Sequence, residues 1–247
     1  MSTPILTATE AAHHRGELER AEAELGPLHY IDKVHTVMTS PYELATHPRV
    51  LDIVEALIGP DILLYNATYI IKEPGSDAFV AWHQDLTYWG LSDGDAQVSM
   101  WLALAPATVE AGCMSMIPRS HLAGRIDHVE DTTDSNVLLL GQRIESVDAA
   151  TARAYPLAPG EASFHHGWTV HTSAPNTTDD RRIGLNVQYL APHTTQEGDR
   201  ATAMLVRGQD RYNNFGTDQP PAGNLDADAV ARWRELDAAM KEAFTTT

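Results

Sequence analysis

The sequence predicts a mainly β fold, an all-β sandwich or jelly roll, with α-helices packed at both ends. Two helix-like segments come first, many short strand-like segments follow residue 60, and a last helix-like segment lies near the end. The 247 residues suffice for one large domain. We expect residues 1–247 to form a single domain. Its parts are a helical part over about 1–60, a jelly-roll core over about 61–192, and a C-terminal extension and helix over 193–247.

Capping and helix-stopping residues delimit the predicted helices. Thr7 or Thr9 can cap the first helix, and Gly26-Pro27 ends it. The second helix is an amphipathic segment that ends at Gly59-Pro60. The predicted helices cover residues 7–25, 48–58 and 226–244.

The segments after Pro60 are short, rich in β-branched and aromatic residues, and separated by turn pairs such as Pro74-Gly75 and Pro159-Gly160. Residues 127–155 are acidic and less regular, so we expect a lid or flap there. The predicted strands cover residues 62–72, 79–84, 97–104, 114–117, 162–166, 168–172 and 182–190.

The composition argues against nucleic acid or a membrane as a partner. The net charge is −17, and only 17 Lys and Arg are spread along the chain, whereas nucleic-acid binding needs basic patches. No apolar run approaches ~20 residues, the length that spans a membrane, and we find no signal peptide. Cys113 is the single cysteine, which excludes an intrachain disulfide and fits a cytoplasmic location.

A His-x-Asp pair, His83-Gln84-Asp85, ends a predicted strand. Two imidazoles and one carboxylate on one face hold Fe(II) and leave the other face open, and residues i and i+2 of a strand project to one side. The pair alone is weak evidence, because composition predicts roughly 1.7 such pairs by chance. A second pair, His128-Val129-Glu130, lies in a charged segment that favours a solvated loop. Candidates for the second imidazole are His165, His166 and His171.

The alternation of side chains along predicted strands selects further candidates. Over 181–190 the odd positions are mostly apolar and the even positions mostly polar, so Arg182 fits a cavity that binds a carboxylate, and Arg181 fits the surface. Trp101 shares a face with polar residues of its strand, where it could flank a cosubstrate; an ordinary core aromatic is the equal alternative. Asn66 and Lys72 share another such face, although a solvated lysine at a strand end is the favoured interpretation of Lys72.

The chain resembles the phytanoyl-CoA dioxygenase (PhyH-like) family of Fe(II)/2-oxoglutarate-dependent oxygenases from about Pro48 to Phe215. The segments that carry the resemblance are IKEPG, WHQDLTYWGL, WLAL, GCMSMIPRSH, HTSAPNTTDDRR and LVRGQDRYNNF. The resemblance implies a double-stranded β-helix (jelly-roll or cupin-like) core with flanking helices. One departure is Arg119, which stands where the family usually has glycine and predicts a locally altered turn.

The resemblance also implies the roles of individual residues. The implied iron ligands are His83, Asp85 and His171. The implied cosubstrate-binding residues are Arg182, for the C5 carboxylate of 2-oxoglutarate, with Ser173, Trp101 and Lys72 as further candidates. Candidates for the substrate pocket, each with core packing as an equal alternative, are Asn66, Trp82, Tyr88, Trp89 and Asn186. Because Asp85 keeps the carboxylate ligand, halogenation is disfavoured.

The implied function is hydroxylation of a small-molecule secondary metabolite by a non-haem dioxygenase that uses Fe(II), 2-oxoglutarate and O₂ and releases succinate and CO₂. The same cofactors could instead serve desaturation, epimerisation or cyclisation. Two hypotheses from other functional classes stay open. They are a His/His/Asp metal hydrolase and a non-catalytic cupin-like binding module. A homo-oligomer is also possible.

Overall fold

The computed structural model describes residues 2–92, 94–131, 133, 135–138, 141–197 and 201–245. Its helices are α1 (Ala8–Leu25), α2 (Thr39–Ala45), α3 (Pro48–Ile58) and α4 (Ala227–Thr245). Its strands are β1 (Thr3–Pro4), β2 (Ile62–Lys72), β3 (Val80–His83), β4 (Gln97–Ala103), β5 (Met114–Met116), β6 (Val129–Glu130), β7 (Gln142–Arg143), β8 (Arg153–Tyr155), β9 (Glu161–His165), β10 (His171–Ser173), β11 (Arg182–Leu190), β12 (Thr202–Arg207) and β13 (Gly216–Thr217).

Helix α1 begins and ends at the predicted signals, and α3 ends at the predicted glycine. Thr7 caps α1 in a capping box, in which the Glu10 N–H donates to Thr7 Oγ1 (3.2 Å) and the Thr7 N–H donates to Glu10 Oε2 (2.7 Å). Gly59 ends α3 with φ 98°, a conformation that other residues adopt only with strain. The structure confirms the predicted helices to within one residue at each end.

The large sheet has the strand order β1-β9-β4-β11-β2-β12-β13. Strand β11 lies at its centre, antiparallel to β2 from Arg182↔Lys72 to Leu190↔Leu63 and to β4 over its last seven residues. Its odd positions are buried in the main hydrophobic core, which also contains residues of α1, α2 and α3. Its even positions include Arg182, Asn186 and Gln188, which line a cavity. The alternation predicted from the sequence is therefore present.

A smaller sheet, in the order β3-β10-β5-β8, supplies the other wall of the cavity. Its pairing places His171 opposite His83. A short hairpin, β6-β7, lies beside it. The segment predicted as a lid spans this hairpin; its described residues Val137, Leu138 and Gln142 line the cavity, whereas residues 132, 134, 139 and 140 lie outside the described part.

Several elements were not predicted, namely α2, β1, β6, β7, β8, β12 and β13. They are only two to seven residues long, too short for a helical or strand period to be distinctive. Arg119 has φ 68°, the left-handed region that glycine adopts freely, so the turn keeps a glycine-like backbone despite the substitution. Among the described residues, no helix is both long and apolar enough to cross a membrane. The single-domain organisation stays a prediction.

Gly184 is the small residue on the cavity face of β11, and Trp101 lies directly over it. A Cβ atom at position 184 would lie 1.9 Å from Trp101 Cζ2, although the φ of this residue is ordinary. The close approach of the indole, rather than backbone freedom, therefore requires glycine here.

We expect Gly184→Ala to lower the free energy of unfolding by roughly 1–3 kcal/mol, because the buried indole must move. Chemical denaturation of the purified protein measures this loss. The matched control is Gly223→Ala, where no atom lies within 4 Å of an added Cβ. Equal stability of the two variants would show that Trp101 does not pack against β11 in this way.

Candidate metal and cosubstrate site

The three predicted metal ligands meet at one point of the cavity wall. His83 ends β3, Asp85 follows two residues later, and His171 begins β10. Asp85 Oδ1 lies 3.2 Å from His83 Nε2 and 3.6 Å from His171 Nε2. One ligand atom from each residue lies within 4.8 Å of the others. Two imidazoles and a carboxylate in this arrangement fit a facial Fe(II) site.

Backbone carbonyls fix the orientation of both imidazoles. His83 Nδ1 lies 2.9 Å from the Ala81 carbonyl oxygen, and His171 Nδ1 lies 2.9 Å from that of Thr169. Since a carbonyl only accepts, each Nδ1 carries the proton and each Nε2 presents its lone pair to the common point. The two candidate ligands are therefore held in the tautomer that binds a metal.

The protonation states also suit a cation. Burial by itself would raise the pKa of Asp85, but the neighbouring imidazoles of His171, His165 and His83 hold it well below its usual range. Burial lowers the pKa of His171 to about 3, with the nearby His83 as a smaller cause. At neutral pH the site thus offers an anionic carboxylate and a neutral imidazole, the forms that bind metals.

Two polar side chains hold the second oxygen of Asp85. Ser99 Oγ donates to Asp85 Oδ2 (3.3 Å), and His165 Nε2 lies 3.4 Å from the same atom. Oδ1 alone therefore faces His83 and His171. His165 was one of three candidates for the second imidazole and lies beside the ligands, whereas His166 turns away and pairs with Asp95 (3.0 Å).

Arg182 lies at another part of the same cavity. Its side chain is 1% exposed, and Nε and Nη2 have no hydrogen-bond partner among the described residues. The guanidinium carbon lies 5.2 Å from the centre of the Trp101 ring. Burial lowers the pKa of Arg182 only to about 10, so the group stays cationic. A buried cation without a carboxylate partner is costly, which is the state expected of a residue that binds an anionic cosubstrate.

Lys72 is not the solvated lysine that the sequence favoured. It is 1% exposed, because the register of β2 and β11 places it beside Arg182 inside the protein. Its Nζ donates to Ser173 Oγ (2.7 Å) and to the backbone carbonyls of Ser173 and Ala174. Burial, and then the charge of Arg182, lowers the pKa of Lys72 to about 6. Lys72 does not line the cavity, whereas Ser173 does.

The candidate pocket residues are only partly brought together. Asn66, Trp89 and Asn186 line the cavity, which has a volume of about 200 Å³. Trp82 is not among the lining residues, because it points away from His83 on the same strand. The side chain of Tyr88 lies outside the described part of the structure. The individual roles of all these residues stay predictions.

Two other expectations differ from the structure. His128 is half-buried rather than solvated, and its Nε2 accepts a hydrogen bond from the Gln84 N–H (3.0 Å) between the two predicted ligands. Arg181 is not a free surface residue, because it pairs with Glu22 and Glu73 and so joins α1 to the end of β2. Both contacts link segments far apart in the chain, which the sequence does not show.

Several polar residues that line the cavity were not predicted as site residues from the sequence. They include Tyr30, Asp32, Gln188 and Lys241. Tyr30, Asp32 and Lys241 lie in the N- and C-terminal parts, outside every recognisable motif. Gln188 could have been found, since it shares the even face of β11 with Arg182 and Asn186.

Comparison with known proteins places the chain in a family. The profile described as "Phytanoyl-CoA dioxygenase (PhyH)" matches residues 9–184. This chain belongs to that family. A phytanoyl-CoA dioxygenase domain-containing protein 1 homolog of Caenorhabditis briggsae is 30% identical over 137 residues, which are 53% of this chain and 47% of that protein. The chain thus aligns with about half the length of this PhyH relative.

Solved structures of PhyH-like enzymes share the whole fold. The non-heme monooxygenase ThoJ in its apo form is 28% identical, with a TM-score of 0.88 over 99% of this chain and 94% of that one. The non-heme alpha ketoglutarate dependent carbocyclase SnoK from nogalamycin biosynthesis is 25% identical, with a TM-score of 0.67 over 91% and 90%. The predicted fold class is confirmed. The enzyme class and its use of Fe(II) and 2-oxoglutarate are confirmed at the level of the PhyH family.

We expect Arg182→Gln to weaken 2-oxoglutarate binding by about 100-fold, because a buried charge-assisted contact contributes roughly 1.5–3 kcal/mol. Anaerobic calorimetric titration of 2-oxoglutarate into the Fe(II)-loaded protein measures the affinity. Arg181→Gln is the matched control, since its guanidinium pairs with carboxylates on the other face of β11. If the two variants bind 2-oxoglutarate equally well, Arg182 is not the anchor.

Asp32 should make stability depend on pH in a way that Asp32→Asn removes. Burial raises the pKa of Asp32 from 3.8 to about 6 in the folded protein. The ionised carboxylate therefore costs stability, and this cost is absent below about pH 4, grows between pH 4 and 6, and stays constant above. The free energy of unfolding of Asp32→Asn, relative to that of the wild type, should therefore be higher above pH 6 than at pH 4, by on the order of 3 kcal/mol. Urea unfolding across this range tests it, and a pH-independent difference would contradict it.

Proposed function

We propose that the protein is a non-haem Fe(II)- and 2-oxoglutarate-dependent dioxygenase that hydroxylates a C–H bond of a small-molecule secondary metabolite, with release of succinate and CO₂. The observation that carries this proposal is the presence, in one cavity, of a His/Asp/His cluster and a buried arginine without a partner. When bound, iron and 2-oxoglutarate would supply the activation of O₂ for the oxidation.

The residues of the chain divide the remaining tasks. His83, Asp85 and His171 would hold the metal, and the contacts of His165 and Ser99 to Asp85 Oδ2 keep Oδ1 directed at it. Arg182 would bind the distal carboxylate of the cosubstrate, and Trp101 fixes the guanidinium from one side. Ile70, Val80 and Met114 provide apolar wall around these groups and limit the water in the cavity.

Two other classes fit the cavity less well. A His/His/Asp hydrolase has no evident use for a buried arginine beside a tryptophan, because a metal-bound water needs no second anion site. A non-catalytic binding module has no need for a metal site whose ligands are held ready by backbone carbonyls. Metal content after purification, together with succinate formation, separates these possibilities.

The oxidative outcome is a further part of the proposal. Hydroxylation is proposed as the default outcome, and the same ligand set would also serve desaturation, epimerisation or cyclisation. The carbocyclase SnoK, which shares the fold, shows that cyclisation occurs among such enzymes. Product mass separates the outcomes, since hydroxylation adds an oxygen atom and desaturation removes two hydrogens. A cytoplasmic location and a homo-oligomer stay predictions.

We expect the wild-type protein to develop a weak visible absorption band when Fe(II) and 2-oxoglutarate are added without oxygen, because the cosubstrate binds the metal. His83→Ala should lose the band, since one of the metal ligands is gone. His13→Ala is the control, because His13 is 63% exposed and lies on α1. No band in the wild type, or an unchanged band in His83→Ala, would refute the proposed function.

A further inference from the structure

Residues 30–33, the Tyr30–Lys33 segment, border the cavity with an unusual backbone. Tyr30 has φ 54° and Lys33 has φ 59°, both in the left-handed region that non-glycine residues rarely adopt. Tyr30 and Asp32 of this segment line the cavity. Such backbone strain costs about 1–3 kcal/mol per residue and persists where the surrounding structure enforces it, often at functional sites.

Helix α4 enforces the position of Asp32. The Asp32 N–H donates to Asp237 Oδ1 (2.9 Å), and Trp233 Nε1 donates to the Asp32 carbonyl (2.7 Å). On the following residue, the buried ammonium of Lys33 donates to Asp218 Oδ2 (3.0 Å). Both polar groups of the Asp32 backbone are thus fixed, so its side chain is presented to the cavity in a defined direction.

The Asp32 carboxylate is buried and only half satisfied. It is 7% exposed, and its Oδ1 accepts a hydrogen bond from Asn66 Nδ2 (2.7 Å). Its Oδ2 accepts no hydrogen bond from the residues that the structure describes. Burial raises the pKa of this group to about 6, so it is mostly ionised at neutral pH at a cost to stability.

The nearby cations are each held by another carboxylate. Lys33 pairs with Asp218 at 3.0 Å, and Lys241, which also lines the cavity, pairs with Asp237 at 2.8 Å. Around Asp32 there are therefore three carboxylates and two ammonium groups, which leaves one negative charge on the cavity side. Cationic Arg182 lies elsewhere on the wall. Counting only the cavity-facing positions of the paired strands β2 and β11, it is three positions away from Asn66.

The position of Asp32 relative to the metal site follows from the sheet register. Asn66, Gln188, Ser99 and His165 are paired across four neighbouring strands. Ser99 donates to Asp85, whereas Asn66 donates to Asp32. Asn66 and Ser99 lie two strands apart in this row, and since neighbouring strands are about 4.8 Å apart, these two residues are separated by about 10 Å.

The groups around Asp32 suit a positively charged nitrogen. Gln188, between Asn66 and Ser99, has a buried Oε1 without a partner among the described residues and offers a second acceptor. Trp89 and Tyr30 add aromatic surface to the same cavity, and aromatic faces attract cations. The strongly acidic protein, with a net charge of −17, also attracts cations from solution.

We propose that Asp32 binds a cationic nitrogen of the primary substrate and thereby places a carbon atom about 10 Å away at the metal. This inference rests on the proposed function, since it names the substrate class of the same cavity. An ammonium would give Oδ2 its missing donor and would neutralise the buried charge. Asp32 would act in substrate binding and specificity.

Binding of small amines to the anaerobic Fe(II)- and 2-oxoglutarate-loaded protein tests the proposal. The probes are hexylammonium, phenethylammonium and 4-phenylbutylammonium, each compared with its neutral N-acetyl derivative by calorimetry and by the shift of the visible band. Asp32→Asn keeps an oxygen that can accept from Asn66 and removes only the charge. Asp179→Asn, at an exposed position, is the control for loss of one negative charge.

We expect at least one ammonium probe to bind the wild type and the control at least about tenfold more tightly than Asp32→Asn, since a contact to a charged group is lost. The acetylated probes should bind all three proteins alike. The comparison of charged and neutral probes uses only the wild type. It therefore tests the proposal even if Asp32→Asn does not fold.

The outcomes distinguish the role of Asp32 from the oxygenase function. If the visible band forms and no ammonium probe binds better than its acetylated form, or if Asp32→Asn binds it unchanged, the role of Asp32 is refuted and the oxygenase function stands. If the wild type forms no band, the oxygenase function is refuted and the substrate assignment is refuted with it.

Discussion

The alternation of side chains along β11 is the constraint on which the rest of the structure depends. This strand is paired on both sides over most of its length, so its odd residues are committed to the core and its even residues to the cavity. A slip of one residue would exchange the two faces. Arg182 would then leave the cavity and Ile183 would enter it. The helices of the N-terminal part stabilise the correct register, because they pack only on the apolar face.

The second sheet adds two of the three candidate metal ligands, His83 and His171, to this frame. Its strands are short, and the pairing of His171 with His83 decides where their imidazoles meet. Asp85 comes after the strand ends and reaches the same point because Ser99, on the large sheet, holds one of its oxygens. The site therefore depends on contacts between the two sheets, and neither sheet could form it alone.

Unpaired buried charge marks the two parts of the cavity wall that suit an ionic ligand. Arg182 and Asp32 both lie at the wall, and both lack a partner of opposite charge within ion-pairing distance among the described residues. Each costs stability in the protein by itself. Such costs are retained where function needs them. Lys72 is different, because the oxygen atoms of Ser173 and Ala174 accept hydrogen bonds from its Nζ.

The sequence by itself determined helices α1, α3 and α4, the principal strands and the choice of Arg182 over Arg181, because capping residues and the period of two are local properties of the chain. The tertiary structure decided what depends on distant contacts. It placed His165 beside Oδ2 of Asp85, buried Lys72, directed Trp82 away from the cavity, and placed α4 where it holds Asp32 at the cavity wall. These positions follow from strand register and from packing between segments up to 205 residues apart, which no local pattern encodes.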